Sequence, residues 1–306
     1  MAIPDSNQRI EYLLDSWGKR TFIMGILNIT PDSFSGDGLL TEPNIDLTSD
    51  IAQESRIGSA INQAREFVSA GVDILDVGGE STRPGAEPVT VSGEIDRVVP
   101  VIRALLDEFD VIVSIDTYKS EVAQIALEAG AHMVNDVWGL KADPKLGEIV
   151  AKYGVPIVLM HNRSSWAHAQ IKQQLGGRYV GVPYENLLDD IKKELLESVT
   201  IANKSGISNE LIILDPGIGF GKTVEQNLEL LDRLDEIKAL GFPVIFGPSR
   251  KSFIGYTLDL PPDKRLEGTA AAVSVGIVRG ADIVRVHDVD FISRVIRMTD
   301  AIVRRH

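Results

Sequence analysis

The side chains best suited to chemistry in this chain are spread over short, separate motifs. They are Asn28, Ser81-Thr82-Arg83, Asp116, Asn135 with Asp136, Asp215, Ser249-Arg250-Lys251-Ser252, and the pair Arg285 and His287. Carboxylates and amides can pair with the donors and acceptors of a polar ring, and Arg can grip an anionic group bidentately. The five histidines, His132, His161, His168, His287 and His306, show no metal-ligand spacing. His132 is expected to pack in the structure, and His306 belongs to the tail. There is no cysteine, which excludes disulfides, thiolate catalysis and Cys-ligated zinc. No Ser-His-Asp triad can be read from chain order.

Two motif matches fail on spacing. Residues 215–223 end in Gly-Lys-Thr like a phosphate-binding loop, yet Pro216 stands where that motif needs its first glycine. Gly217, Gly219 and Gly221 also miss the dinucleotide fingerprint, so a tight strand-to-helix turn close to a flat ligand is the better reading.

The elements that must position these residues follow from hydrophobic pattern. Apolar, β-branched runs at 21–27, 73–77, 111–116, 133–136, 156–160, 211–215, 243–247 and 282–286 predict eight strands. Helical patterns follow them, for example at 59–70, 94–108, 120–129 and 184–203. Strands alternating with helices imply parallel βαβ units, and eight of them predict an α/β fold of the closed (β/α)8 TIM barrel type, with an open doubly wound sheet as the alternative. Glycines 71, 130, 154, 241 and 280 stand just before strands as helix-stop signals. Long connections at 28–58 and 161–183 point to functional loops. No low-complexity linker divides the chain, so residues 21–306 read as one barrel domain behind an N-terminal extension, 1–20.

The candidate residues sit at or just beyond the C-terminal ends of seven of these eight runs. Any one strand can end in a polar residue simply because it meets water. Seven doing so with Asp, Asn, Lys, Arg or His is better explained by convergence on the barrel rim where active sites form. Arg285 and His287 are two apart on one strand and share a face, as do Ser114 and Asp116.

Composition sets outer limits. The 306 residues are 44% hydrophobic and 25% charged, which suits a globular fold. The net charge of −13, without a Lys/Arg run, argues against nucleic acid or a membrane surface as partner, although a local cationic cluster could still hold a small anion. No apolar run approaches the roughly 18 residues of a membrane helix, and the N-terminus lacks a signal-peptide core, so a cytoplasmic location is expected.

Taken in order, the motifs resemble the dihydropteroate synthase family from about residue 21 to 304. They are Met24-Gly-Ile-Leu-Asn28-Ile-Thr-Pro-Asp32-Ser-Phe-Ser, Asp76-Val-Gly-Gly-Glu-Ser-Thr-Arg83-Pro-Gly, Ser114-Ile-Asp116-Thr, Val134-Asn135-Asp136-Val, Asp215-Pro-Gly-Ile-Gly-Phe220-Gly-Lys, Ser249-Arg-Lys251-Ser and Arg285-Val-His287-Asp-Val. The resemblance implies a homodimeric TIM barrel that uses Mg²⁺ and displaces diphosphate from a dihydropterin-methyl diphosphate with p-aminobenzoate. It implies that Asp215 anchors the pterin, with Asp116, Asn135 and Lys251 as further contacts. Arg285 and His287 would hold the diphosphate, and Asn28 the metal. Asp32, Thr82 and Arg83 lie on the family's two mobile loops. Asp32 would stabilise positive charge developing on the pterin methylene, while Arg83, Phe220 and Ser252 would form the p-aminobenzoate pocket. Roles for Asp76 and Glu80 stay open, Asp76 as a residue that could simply satisfy buried donors.

The chain departs from the family at Ser35-Gly36-Asp37-Gly38 and in a longer stretch over roughly 39–57, which bears on loop closure rather than on the pterin pocket. A corrinoid-linked methyltransferase shares such a barrel but needs no diphosphate or magnesium site. The residue 28–34 loop and the Arg83 and Lys251 motifs argue against it. Retention of Asn28, Asp32 and Arg83 argues against a non-catalytic pterin binder. Loop ordering by the diphosphate implies that p-aminobenzoate binds second, and that sulfonamides bind well only with pterin and diphosphate present. Residues 267–280 form an Ala/Val/Gly-rich helix that suits either a dimer interface or core packing.

Overall fold

In the computed structural model the apolar runs form strands: β1 Phe22–Asn28, β2 Ile74–Gly78, β3 Ile112–Asp116, β4 Met133–Asp136, β5 Ile157–Met160, β8 Ile212–Asp215, β9 Ile245–Phe246 and β10 Ile283–Val286. The structure describes residues 6–30, 50–81, 86–164, 169–172, 176–179 and 183–305. All eight strands are parallel, in the order β8-β5-β4-β3-β2-β1-β10-β9, and a parallel bridge between Leu214 and Val244 joins the two ends. This is the expected (β/α)8 barrel. Each strand lies within two residues of its predicted limits, and helices alternate with the strands.

Three features depart from the sequence reading. The helix expected at 59–70 begins at Asp50 and runs Asp50–Ser69, which shortens the long connection after β1. Its buried face is formed by Ala60, Ile61, Ala64 and Phe67, with Ile57 packed partly against the core. The connection after β5 contains an antiparallel hairpin, β6 Ala169–Lys172 with β7 Gly176–Tyr179. The four residues Ala169-Gln-Ile-Lys172 alternate apolar and polar but are too few to mark a strand, and β7 opens on two glycines. The segment before residue 21 forms the helix Ser6–Asp15, whose Leu13 is buried with Phe22, Met24, Ile74, Ile112 and Met133, while Trp17 packs alongside. The barrel floor is thus closed by residues expected to lie outside the domain. The Arg20 guanidinium ties the same segment to Asp73 at 2.5 Å and stacks 4.2 Å from the centre of the Phe22 ring.

Glycine does mark the helix stops. Gly154 at φ +64 caps the helix Leu146–Tyr153, and the other four pre-strand glycines share this left-handed region. No helix among the described residues is long and apolar enough to cross a membrane.

Candidate active site

Side-chain alternation turns the barrel interior into layers. Phe22, Met24, Ile74, Ile112, Met133, Val158, Ile213, Ile245 and Ile283 form its apolar lower part. Side chains two residues further along a strand point the same way. From Ile74 this reaches Asp76, from Ile112 Ser114 and then Asp116, from Met133 Asn135, from Ile213 Asp215, from Ile245 Gly247, and from Ile283 Arg285. An inward polar layer therefore sits directly on the apolar one, at the C-terminal end of the strands.

Asp76 organises this layer. With none of its surface exposed, its Oδ2 accepts from Arg285 Nε at 2.6 Å and Asn135 Nδ2 at 3.0 Å. Asp116 Oδ2 accepts from the Arg285 Nη2 at 2.7 Å. Arg285 thus spends Nε and one Nη2 N–H on carboxylates, and the end of its fork, Nη1 with the second Nη2 N–H, remains for an anion. Burial raises the Asp116 carboxyl, an effect that Arg285 opposes and the Asp76 charge reinforces. Asp136, next to Asn135, turns outward and accepts from the Trp138 and Leu140 backbone N–H groups at 2.8 and 2.6 Å, which makes it a turn residue.

Asp215 is almost fully buried at the end of β8. Its Oδ1 accepts from Gly217 N at 2.7 Å, and its carboxyl is raised by burial against the opposing pull of Lys251. That backbone bond leaves Oδ2 and unused lone pairs for a ligand. The glycine-rich turn that follows passes very close to β5: a Cβ on Gly217, which stands at φ +69, would lie 1.9 Å from the His161 carbonyl oxygen. Thr223 then starts the helix Val224–Asp232 with a capping box to Gln226. The turn is therefore the tight strand-to-helix connection read from its glycine spacing.

Lys251 reaches back from the loop after β9. Its ammonium donates to the Ile218 carbonyl and stands 4.6 Å from the Phe220 ring centre. Burial lowers its pKa to about 8, with Asp215 opposing and Arg285 assisting the shift. Gly247 keeps the space below open, since a Cβ there would meet Arg285 Cβ at 3.7 Å and Lys251 Nζ at 4.0 Å. Arg250, before Lys251, holds a left-handed φ of +57 and pairs with Asp288. Ser252 begins the helix Ser252–Leu258. His287 Nδ1 lies 3.0 Å from Ser249 Oγ, which also accepts from the His287 backbone N–H.

Asn28 ends β1 beside this group. A Cβ at Gly78 would sit 3.5 Å from Asp116 Cβ and 3.8 Å from Asn28 Oδ1, so both side chains border the same spot beside β2. Among the described residues no cluster of three or more His, Asp or Glu is built to hold a metal. Asn28, Asp116, Asn135, Asp215, Phe220, Lys251, Arg285 and His287 all gather around one end of the barrel. Asp32, Thr82, Arg83 and the 35–49 stretch lie outside the described residues.

Asp76, left open in the sequence except as a residue that could satisfy buried donors, does satisfy those of Arg285 and Asn135, from the inward position two residues past Ile74. Glu80 also finds a place: it accepts from Val89 N at 2.9 Å, Tyr118 Oη at 3.0 Å and Lys119 Nζ at 2.7 Å, so it anchors the β2 connection. What the sequence reading missed is a trio behind the glycine-rich turn, the buried Lys222 and His161 with the half-buried Glu194, which come from three separate elements and have no sequence spacing to reveal them.

A parallel barrel with acid, amide, ammonium and guanidinium groups converging on its C-terminal end defines a barrel enzyme for a small polar ligand. A family described as pterin binding enzyme matches residues 24–287. A dihydropteroate synthase of Clostridium beijerinckii is 49% identical over 94% of this chain and 96% of its own length. One of Bacillus subtilis is 45% identical over 95% and 91%. Among solved structures, a Clostridium difficile dihydropteroate synthase determined in the presence of pteroic acid has a TM-score of 0.82 at 45% identity, covering 94% of this chain and 99% of that one. A Xanthomonas albilineans dihydropteroate synthase with 4-aminobenzoic acid has a TM-score of 0.80 at 35% identity, covering 93% and 94%. The chain belongs to the dihydropteroate synthase family.

Proposed function

We infer that the chain condenses (7,8-dihydropterin-6-yl)methyl diphosphate with 4-aminobenzoate to give 7,8-dihydropteroate and diphosphate, as a transferase of folate biosynthesis. The observation that carries this reading is the inward layer of Asp116, Asn135, Asp215 and Lys251 at the C-terminal end of the barrel. A pterin presents an amino group and a ring N–H side by side. Asp215 accepts from both, and the Lys251 ammonium donates to a ring acceptor, as Asn135 and Asp116 hold the other edge. Supporting the reading, one solved relative was determined in the presence of pteroic acid, which carries the pterin ring, and another with 4-aminobenzoic acid.

In the reaction the bond between the pterin methylene and a diphosphate oxygen breaks, and its electron pair leaves with diphosphate. The arylamine lone pair forms the new C–N bond, and the amine proton goes to solvent. No covalent enzyme intermediate is needed. Arg285, through Nη1, and His287 bind the diphosphate. Asp32 stabilises charge on the methylene, and Thr82, Arg83, Phe220 and Ser252 receive the p-aminobenzoate, whose place a sulfonamide would take. Asn28 fits a role toward Mg²⁺: no hydrogen bond occupies its side chain among the described residues, and this ion commonly takes few protein oxygens beside phosphate. When bound, Mg²⁺ would neutralise charge on the departing diphosphate.

The chain also acts as a cytoplasmic homodimer in this reading. Supporting the dimer, a groove of about 520 Å³ runs between the helices Leu266–Val278 and Val289–Val303, lined by Val278, Phe291, Val295, Met298 and Ile302. Met298 is 63% and Val278 59% exposed, an apolar surface that a second copy would cover.

Incubation with labelled p-aminobenzoate, Mg²⁺ and the pterin diphosphate tests the reaction. Label incorporated into dihydropteroate in amounts equal to released diphosphate is expected. Diphosphate release without incorporation would make the protein a hydrolase.

A further inference from the structure

We propose that Lys222 is a positioning residue, whose buried contact with His161 and, through it, Glu194 latches the Gly217–Phe220 turn and so sets the p-aminobenzoate side of the site. The proposal rests on the functional reading above for what the turn positions, but the latch itself stands on geometry.

Lys222 Nζ donates to the Gly217 carbonyl at 2.8 Å and the Phe220 carbonyl at 3.1 Å, and lies 3.1 Å from His161 Nδ1. One ammonium therefore grips both ends of the turn and fastens it to the end of β5. His161 Nε2 in turn lies 3.1 Å from Glu194 Oε2, on the helix Leu187–Lys204. With Lys222 protonated, the imidazole accepts at Nδ1, which puts the ring proton on Nε2, toward the carboxylate. Burial holds His161 neutral, lowering its pKa to about 4, and Glu194, with His161 Nε2 at 3.1 Å and a hydrogen bond from Arg163 Nε at 2.8 Å, stays ionised at about 2.

Stability alone gives no reason for this lysine. It is 3% exposed, and none of its three hydrogen-bond partners is a carboxylate. Burial drives its pKa down to about 7. Burying a cation against neutral partners is costly, and a well-packed apolar residue commonly replaces a buried charge without loss. What an apolar residue cannot supply is one group that donates in three directions. The turn it holds ends in Phe220, whose ring faces Lys251, and begins at Gly217, whose N–H donates to Asp215. A shift of the turn would move Phe220 while Asn135, Asp116 and Asp76, on other strands, stay in place.

The test uses the full-length enzyme and Lys222→Met, with His161→Leu and His161→Gln as companions. With Lys222→Met, KM for p-aminobenzoate should rise about tenfold with kcat and calorimetric pterin affinity within about twofold. His161→Leu should shift KM in the same direction. His161→Gln, which keeps an acceptor for the ammonium, should stay near wild type. Amide hydrogen exchange at residues 217–221 should quicken in Lys222→Met and His161→Leu alone. Unchanged exchange there, an unchanged KM, equal loss of pterin affinity, or equal behaviour of the Gln and Leu variants would overturn the latch. Should Lys222→Met fail to fold, the two His161 variants decide. Failure of the functional reading is a separate result, since the wild type itself would then form no dihydropteroate, and hydrogen exchange would still judge the latch.

Discussion

Asp76 and Lys251 define the electrostatics of the site residue by residue. The Asp76 carboxylate orients Arg285 and Asn135 from below, so it shapes the pocket from a position with no exposure of its own. Lys251 faces the ligand with a charge that can be lost near neutral pH, because burial brings its pKa down to about 8. The protonated form is the donor, so it is present below that value and lost as pH rises through it. Pterin affinity should be flat to about pH 7 and weaken above about pH 8, by up to roughly tenfold per unit. Calorimetry across this range checks it, and a flat profile would remove the Lys251 ammonium from pterin binding. Asn28 offers a second check. Asn28→Ala should cut turnover at least roughly tenfold while leaving affinity for a pterin without diphosphate nearly unchanged. Equal loss for both ligands would mean that Asn28 only shapes the pocket.

Among the elements, strands were far more legible than the connections between them. Runs such as Ile157–Met160 announce themselves because a parallel barrel strand is buried on both faces and reads as a short apolar segment. The same burial made the site legible: Asn135, Asp215 and Arg285 are polar residues on otherwise apolar strands. Asp76 has the same signature, but its partners lie 59 and 209 residues away, and no local pattern names them. The β6–β7 hairpin was hidden because β6 is too short to mark a strand and β7 opens on two glycines. At the glycine-rich turn, sequence spacing identified the geometry but not the lysine that holds it. Gly217→Ala should lose on the order of 3 kcal/mol, since the φ is left-handed and the new methyl would strike the His161 carbonyl. A denaturant midpoint and slope like wild type would show that this close approach is not required.

For the whole molecule, the net charge of −13 contrasts with the clustering of Lys251 and Arg285 at one end of the barrel, where Asp76, Asp116 and Asp215 face them and hold their charges in fixed positions. The helices Leu266–Val278 and Val289–Val303 present an apolar face away from that end. Met298→Glu should convert the proposed dimer to monomer in sedimentation velocity, and a wild type that sediments as a monomer would contradict the dimer. These features all depend on the barrel interior being a pterin site. Calorimetric titration of a pterin into wild type and Asp215→Asn tests that most directly. Replacing one acceptor oxygen by an amide donor, against a ligand edge made of donors, leaves a buried polar group unmatched at a cost of about 1–3 kcal/mol. Binding at least about tenfold weaker, with the melting temperature retained, is the expected result; equal affinity in the two proteins would place the pterin elsewhere.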